Sequence, residues 1–462
     1  VVPERLRTVL SPDIVDLARR FDDEGHTLYL VGGSVRDAML GRDSDDLDFT
    51  TDALPDDIER IGEPWAHSTY LAGKAFGTVG LVRDHVIHEI TTFRSEMYRD
   101  DSRKPHVTFS TSLSEDLSRR DFAVNAMAIR IPIERGAVPD MVDPHGGLVD
   151  LSARVLRTPL DPEVSFGDDP LRMVRLFRFV STLGFTPDPD ALAAVSEMHE
   201  RLSIVSAERI RGEFDKLIMG DNVADALTAL VDSGLAGEFL PELPALEVEM
   251  DPVHRHKDVL AHTIAVVAKS SPRLRLRLAA LFHDVGKPQT REFGEGGVSF
   301  HHHEVVGSRM TRVRMSELRY PKDLIEETSR LVFLHMRPHT YKMGWSDSAV
   351  RRYVRDAGPL LTDLNELVRC DVTTRNERRA KTISRRIDEL EERITDLSAR
   401  EELDRIRPPI DGNDVMAHLG IDPGPLVGRL MDMLLERRLE DGPYSRDEAF
   451  AMLDEWKASQ SG

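Results

Sequence analysis

The four residues Asp46-Leu47-Asp48-Phe49 constrain this chain more than any other stretch. A strand repeats every two residues, so a strand here sends Asp46 and Asp48 to one face and turns Leu47 and Phe49 into a core. Two neighbouring carboxylates repel each other unless a cation lies between them. An acidic loop is the plain alternative, since Asp43 and Asp45 crowd the same place. Mg2+ suits the first reading, because it takes oxygen ligands, keeps several waters and bridges to phosphates. A pair of such ions can activate an attacking hydroxyl and steady a leaving pyrophosphate. Glu89, on the β-branched run Val86 to Phe93, could supply a third carboxylate from a later strand, or be an exposed strand residue.

Just upstream, Leu28-Tyr29-Leu30-Val31 is a short apolar strand stopped by Gly32-Gly33, and Ser34 to Leu40 reads as a helix closed by Gly41. Glycines between a strand and a helix let backbone N–H groups approach a phosphate, and the helix N-terminus adds favourable partial charge. Arg36, one turn in, could reach the same anion. An ordinary tight turn with a solvated arginine fits the same letters.

Charge bears on the partner. Asp and Glu number 81 against 61 Lys and Arg, a net −20, which is the wrong sign for a protein held on nucleic acid by its overall field. Such a protein must use local basic surface, or metal ions between its carboxylates and phosphates. A chain 40% hydrophobic and 31% charged is neither disordered nor membrane-embedded in composition, and no apolar run of 18 residues is present. The lone Cys370 excludes an intrachain disulfide or a zinc site of several thiolates, and reads as a small buried apolar residue. Val1-Val2-Pro3-Glu4-Arg5 has no signal-peptide pattern, so a cytoplasmic protein with no membrane contact is expected.

Beyond Asp168 helical periodicity takes over: Leu171 to Leu183, Asp190 to Leu202, Glu208 to Ile218 and Val223 to Ser233. Pro241 and Pro244 mark a linker before a helical block from His254 to about Arg375. A charged helix follows, with Ile383, Ile387, Leu390, Ile394 and Leu397 as its apolar stripe. The expected fold is α+β, a sheet-containing head followed by an all-helical body. The boundaries are 1–160 for the head, 161–245 for a helical neck and body, 246–376 for a second block, and 377–462 for a helical tail.

Leu30 to Asp37, Asp46 to Phe49, Arg119 to Ala128, Asp143-Pro144-His145-Gly146-Gly147 with Asp150-Leu151, Asp169 to Met173 through Arg178-Phe179, and Glu208-Arg209-Ile210 follow in order. Together they resemble successive motifs of the class II tRNA nucleotidyltransferases, which include the bacterial CCA-adding enzymes and the related poly(A) polymerases. The resemblance implies a polymerase-beta-like nucleotidyltransferase palm with Asp46 and Asp48 as its metal ligands. It places Gly32, Gly33, Arg36 and Asp37 on the nucleotide, Arg119 and Arg120 on its triphosphate or sugar, and Asp121 and Asn125 on the ribose side. Gly73 to Thr78 resembles a flexible loop beside the active site.

Asp169, Arg172, Arg175 and Arg178 recur every three residues on the next helix, where Asp169-Pro170 also reads as an ordinary N-cap and the arginines as a solvated face. Cytosine and adenine both show an amino donor beside a ring-nitrogen acceptor, whereas uracil and guanine reverse that order. An Asp acceptor beside an Arg donor therefore admits CTP and ATP and rejects the others, at about 1–3 kcal/mol for each group left unsatisfied. In the family this helix reads the incoming base, with Arg175 and Arg178 holding phosphate or shaping the pocket. The basic residues Arg375, Arg378, Arg379, Lys381, Arg385 and Arg386 could meet RNA or be solvated charge.

In the second block, His262, the doublet His283-Asp284 followed by Gly286-Lys287, and Asp371 resemble the HD phosphohydrolase superfamily, with His303 and His335 completing a two-metal version. Imidazoles and carboxylates together hold a divalent ion of identity left open here, and an open position can activate water against a phosphoester. The expected activity is template-independent addition of the 3′-terminal CCA to tRNA from CTP and ATP, with pyrophosphate released. The expected partner is the 3′ end and acceptor arm of tRNA, and no protein partner is inferred. The alternatives are a poly(A) or A-only enzyme, an HD-site phosphodiesterase or phosphatase as the main activity, and RNA binding without catalysis.

Overall fold

The computed structural model describes residues 9–43, 47–97, 106–134, 137–248, 258–294, 297–341, 344–372, 377–401, 403 and 406–460. Asp46 and Arg375 lie outside the described residues, as do the side chains of Arg378, Arg379 and Ile383. The chain divides into two compact units, Val1–Pro244 and Ala245–Gly462.

The first unit is built on a sheet. Its strands are β1 (Leu28–Val31), β2 (Leu47–Thr51), β3 (Ser68–Tyr70), β4 (Thr78–Arg83), β5 (Val86–Thr92), β6 (Arg94–Met97), β7 (His106–Phe109), β8 (Ala128–Arg130) and β9 (Asp140–Val142). Seven of them form one sheet in the order β3-β4-β5-β2-β1-β8-β9, and β6 with β7 is a separate hairpin. Only β2 and β5 run parallel within the large sheet; its other pairings are antiparallel.

One face of this sheet is covered by α1 (Pro12–Asp23) and α3 (Pro55–Gly62), the helix α2 (Gly33–Met39) lying between them in sequence. Ile14, Leu17 and Phe21 of α1, Ile58 of α3 and the neighbouring Trp65 are buried, as are Phe49, Val79, Leu81 and Ile90 of the strands. α3 comes so close to β4 that a Cβ on Gly62 would collide with Leu81. Period two then leaves Asp48, Glu89, Gly80 and Tyr70 on the opposite, open face. α4 (Leu113–Ser118) covers one end of that face, where Asp116 accepts a hydrogen bond from Thr50 Oγ1 at 3.4 Å.

After Pro162 the unit is helical apart from Thr186–Pro187, which pairs in parallel with Val155–Leu156. The segments Leu171–Leu183, Ala207–Ile218 and Val223–Asp232 are helices, as their periodicity requires, and Pro189–Met198 passes into a 3-10 turn at His199–Ile204. The first ends at Gly184, whose φ of +70° is the left-handed cap that glycine takes readily.

The second unit packs the helices Val259–Lys269, Leu274–Phe282, His303–Glu317, Lys322–Leu334, Asp347–Ala357 and Leu361–Asp371. Ile387, Leu390, Ile394 and Leu397 are buried along the helix Glu377–Glu401. The end of that helix is pinned by a buried cluster: Arg351 donates to both oxygens of Glu401 at 2.7 and 2.8 Å, and Arg438 donates to one at 3.1 Å. Three further helices (Gly412–Leu419, Pro425–Asp441 and Arg446–Ser459) close on a small core of Val415, Leu419, Leu430, Leu434 and Leu453. Two of them start with capping boxes, Asp411 with Asp414 and Ser445 with Glu448. Among the described residues no helix is long and apolar enough to cross a membrane.

Candidate functional sites

The glycine turn after β1 comes first. Gly32 has φ +72°, and a Cβ on it would lie 2.7 Å from Arg120 Nη1 and 3.8 Å from Asp48 Oδ2. Any side chain here would therefore displace the arginine, so glycine is required both for backbone conformation and for room. The turn, Arg120 and Asp48 meet at one point at the edge of the open face. Asp48 is further held by its own N–H, which donates to Ser34 Oγ of α2 at 3.1 Å. Its register partner across the parallel pair is Glu89, so the two carboxylates project side by side.

Arg120 and Arg119 converge on Asp116, which is fully buried. Arg119 Nε and Nη2 donate to Asp116 Oδ1 at 3.0 and 2.8 Å, and Arg120 Nη2 lies 3.6 Å from Oδ2. Burial opposes the Asp116 charge, but the two guanidiniums outweigh it and hold the carboxyl below its usual range. Burial also pulls Arg120 down, against Asp116, Asp48 and Asp121.

From there a chain of paired groups runs into the helical neck. Arg36 donates through Nε and Nη2 to Asp37 at 2.9 and 2.7 Å and through Nη1 to Asn125 Oδ1 at 2.6 Å. Asn125 Nδ2 donates to Asp121 Oδ1 at 2.8 Å, and Arg175 donates twice to Asp121 Oδ2 at 2.9 and 2.5 Å. Arg175 and Arg178 then share Glu213, at 3.3 and 2.7 Å. Phe179 lies beneath three guanidiniums, those of Arg36, Arg175 and Arg178, at 5.1, 5.8 and 4.1 Å from its ring centre. Burial alone would raise the Asp121 carboxyl, yet Arg175, Asn125 and Arg178 hold it far below the usual carboxylate range.

These partners change the expected picture of the neck. The arginine stripe is no solvated face: Arg172 is buried, with Nη1 donating to Ser165 Oγ at 2.9 Å and Nη2 to the Arg119 carbonyl. Asp169 caps the helix through the Leu171 N–H at 3.1 Å and accepts from Arg209 at 2.9 Å. Asp169 and Arg172 are thus each held by separate internal partners. Asn125 links Arg36 to Asp121, while Arg36 spends its other two bonds on Asp37 and Asp121 accepts its others from the Phe122 N–H and Arg175. Sequence reading missed Glu213 and Asp116. Glu213 had a signal, a charged residue set among Ile210, Phe214 and Leu217 on the buried stripe of its helix.

The second unit holds a denser cluster. His262 Nε2 lies 2.9 Å from Asp371 and 3.3 Å from His283 Nε2, and His283 Nε2 is 3.2 Å from Asp284. On the other side of Asp284, His303 Nε2 is 3.5 Å from Oδ1 and 3.3 Å from His335 Nε2. Two groups with metal-ligand spacing result, His262-His283-Asp284 and Asp284-His303-His335, with Asp284 common to both. The Nδ1 atoms of His283, His303 and His335 face the carbonyls of Ala280, Phe300 and Val332 at 2.7, 2.8 and 2.6 Å. Donation there leaves each Nε2 lone pair aimed at the centre, the outer-shell pattern of metal-bound histidine. With no cation in place, burial opposes charge on His283 but Asp284 and Asp371 outweigh it and push the imidazole up to about 10, a proton that an ion bound at Nε2 would displace; burial, with His283 beside it, takes His335 down to about 3. Lys287, which was not assigned a role from sequence, reaches Asp284 at 2.5 Å. Gly286 lets the helix of His303 approach, since a Cβ there would collide with the His303 carbonyl.

Comparison with known proteins covers both units. Residues 28–157 match the poly A polymerase head domain, 184–246 a probable RNA- and SrmB-binding site of polymerase A, and 259–391 the HD domain. An A-adding tRNA nucleotidyltransferase of Deinococcus radiodurans is 33% identical over 448 residues, covering 94% of this chain and 96% of that one. CCA-adding enzymes of Geobacillus sp. and Anoxybacillus flavithermus are 38% and 39% identical. Those two matches take in 52% and 54% of this chain, and only 57% and 58% of the relatives' own length. Among solved structures, the Bacillus stearothermophilus CCA-adding enzyme in complex with CTP aligns with TM-score 0.69 at 24% identity, covering 98% of this chain and 99% of that one. The Thermotoga maritima CCA-adding enzyme complexed with tRNA aligns with TM-score 0.60 at 16% identity, covering 98% of each chain.

Proposed function

The chain belongs to the tRNA nucleotidyltransferase family that takes in the A-adding and CCA-adding enzymes, and on that premise we propose that it builds the 3′-terminal CCA of tRNA from CTP and ATP. The observation that carries this is the meeting of the Gly32 turn, Arg120 and Asp48 on the sheet's open face, with Glu89 alongside. The turn and Arg120 bind the triphosphate, and the carboxylates mark where the RNA 3′-hydroxyl attacks. Asp48 and Glu89 offer the hard oxygen donors that a divalent cation prefers, with Asp46 as the proposed third and Mg2+ as the proposed ion. Such an ion, when bound, eases ionisation of the hydroxyl and neutralises charge on the departing pyrophosphate.

Asp169 and Arg172 are proposed to read the base. The Asp169 oxygen that now accepts from Arg209 would accept in addition from an amino donor, as cytosine and adenine present. The network from Asp37 to Arg178 sets the position of that helix against the head. At the second site, His262, His283, Asp284 and Asp371 would hold one divalent ion and Asp284, His303 and His335 another, with phosphoester hydrolysis as an accessory activity.

A second reading, addition of A alone, is favoured by the relative matched along nearly its full length, which is an A-adding enzyme. Incubation with tRNA lacking all of CCA, and with tRNA lacking only the terminal A, separates the two. Labelled CTP should enter the first substrate and labelled ATP the second. Incorporation of ATP alone would replace the CCA assignment with the A-adding one.

A further inference from the structure

Tyr70 of β3, Gly80 of β4, Glu89 of β5 and Asp48 of β2 are successive register partners, forming one row across the open face of the sheet. At the far end of this row Tyr70 is 56% exposed, and Ile87, two residues before Glu89 on the same face, is 48% exposed. Between them Gly80 has no side chain; a Cβ there would lie 3.2 Å from the Tyr70 Cβ and 3.4 Å from Ile87 Cγ2. The result is a notch with an apolar rim that opens onto Glu89. Tyr70 starts two strand spacings, about 10 Å, from Glu89.

The topology says what the notch is for. The Gly32 turn and Arg120 lie on the β1 flank of Asp48, and Tyr70 lies on the opposite flank, at the edge strand. Phosphoryl transfer needs the attacking and leaving oxygens roughly in line, on opposite sides of phosphorus. If the triphosphate occupies the β1 flank, the RNA end must arrive from the β3 flank. This rests on the nucleotidyltransferase reading above.

We propose that Tyr70, flanked by Ile87, is a stacking platform for a base at or beside the RNA 3′ end, and that Gly80 keeps the path to Glu89 and Asp48 clear. The row carries carboxylates and no cation, so it suits the face of a base rather than a phosphate. Stacking tolerates any base, since each has a π-face. That suits a primer whose terminal base changes with each addition. Tyr70 is thus a positioning residue for the acceptor.

The test is steady-state kinetics of Tyr70→Ala and Tyr70→Trp on tRNA lacking its terminus. Tyr70→Ala should raise KM for the tRNA roughly 5- to 100-fold, with KM for CTP unchanged, and Tyr70→Trp should restore it. A 2-aminopurine at the RNA 3′ end should be quenched on binding the wild-type protein and not on binding Tyr70→Ala. An unchanged KM for tRNA, or a rise in KM for CTP in its place, overturns the platform. Asp48→Ala, run alongside, separates the two levels. Loss of addition there with normal Tyr70→Ala kinetics sinks the platform alone, and persistent addition sinks the active-site reading itself.

Discussion

Asp121 is where single-residue chemistry decides most. Its carboxylate accepts from the Phe122 N–H, Asn125 and Arg175, and it is only 8% exposed. A carboxyl held below its ordinary range contributes stability that is fully present above the unfolded value, near 4, and is lost as the pH falls through the folded one. Asp121→Asn should therefore cost about 3 kcal/mol at pH 7, since it removes the nearer of the two carboxylates that pair with Arg175 and leaves only the longer contact to Glu213. The difference from wild type should shrink as the pH drops below about 4. Urea midpoints measured at pH 7, 5 and 3.5 check this. A gap that stayed constant with pH would mean that folding does not depress the Asp121 carboxyl.

At the scale of elements, the strands and the long neck helix could be read from periodicity, because their cause is local. Alternation placed Asp48 and Glu89 outward and Phe49 inward, and spacing of apolar residues marked Leu171 to Leu183. What joins the elements could not be read this way. Arg36 meets Asn125 across 89 positions and Arg175 meets Asp121 across 54, and no window of sequence contains both members of such a pair. For the same reason a solvated face fitted the stripe of arginines as well as a binding one, although the facing helix supplies Glu213. The cluster around Asp284 falls between these cases. The doublet His283-Asp284 was visible, but the sharing of Asp284 between two histidine groups arises only when four helices converge. If both groups bind cations, protein stripped by a chelator should melt lower, and Mn2+ at about 100 times its Kd should raise the melting temperature of this unit by about 5–10 °C. Asp284→Asn should lose most of that gain and His335→Ala only part. A melting curve indifferent to chelator and to Mn2+ would rule out both ion sites.

Across the whole molecule a net charge of −20 stands against the proposed polyanionic partner. Most of the basic side chains near the candidate active site are already committed: Arg36 to Asp37, Arg119 to Asp116, Arg175 and Arg178 to Glu213, and Arg209 to Asp169. In the second unit Arg351, Arg369 and Arg393 are likewise paired with carboxylates. Around the candidate active site, recognition then leans on stacking, shape and bridging metal more than on unpaired cations. Each phosphate contact adds about −0.7 to −0.9 to the slope of log affinity against log salt. The slope for tRNA binding should therefore be no steeper than about −3, so a rise from 50 to 200 mM salt should weaken binding by roughly 60-fold at most. Fluorescence titrations at four salt concentrations measure it. A slope of −6 or steeper would move the RNA onto a basic track such as Arg375 to Arg386 and demote the open face of the sheet to the last few nucleotides. Charge reversal at Lys381, Arg385 and Arg386 would then flatten the slope, whereas with the RNA end on the open face it leaves the slope nearly unchanged.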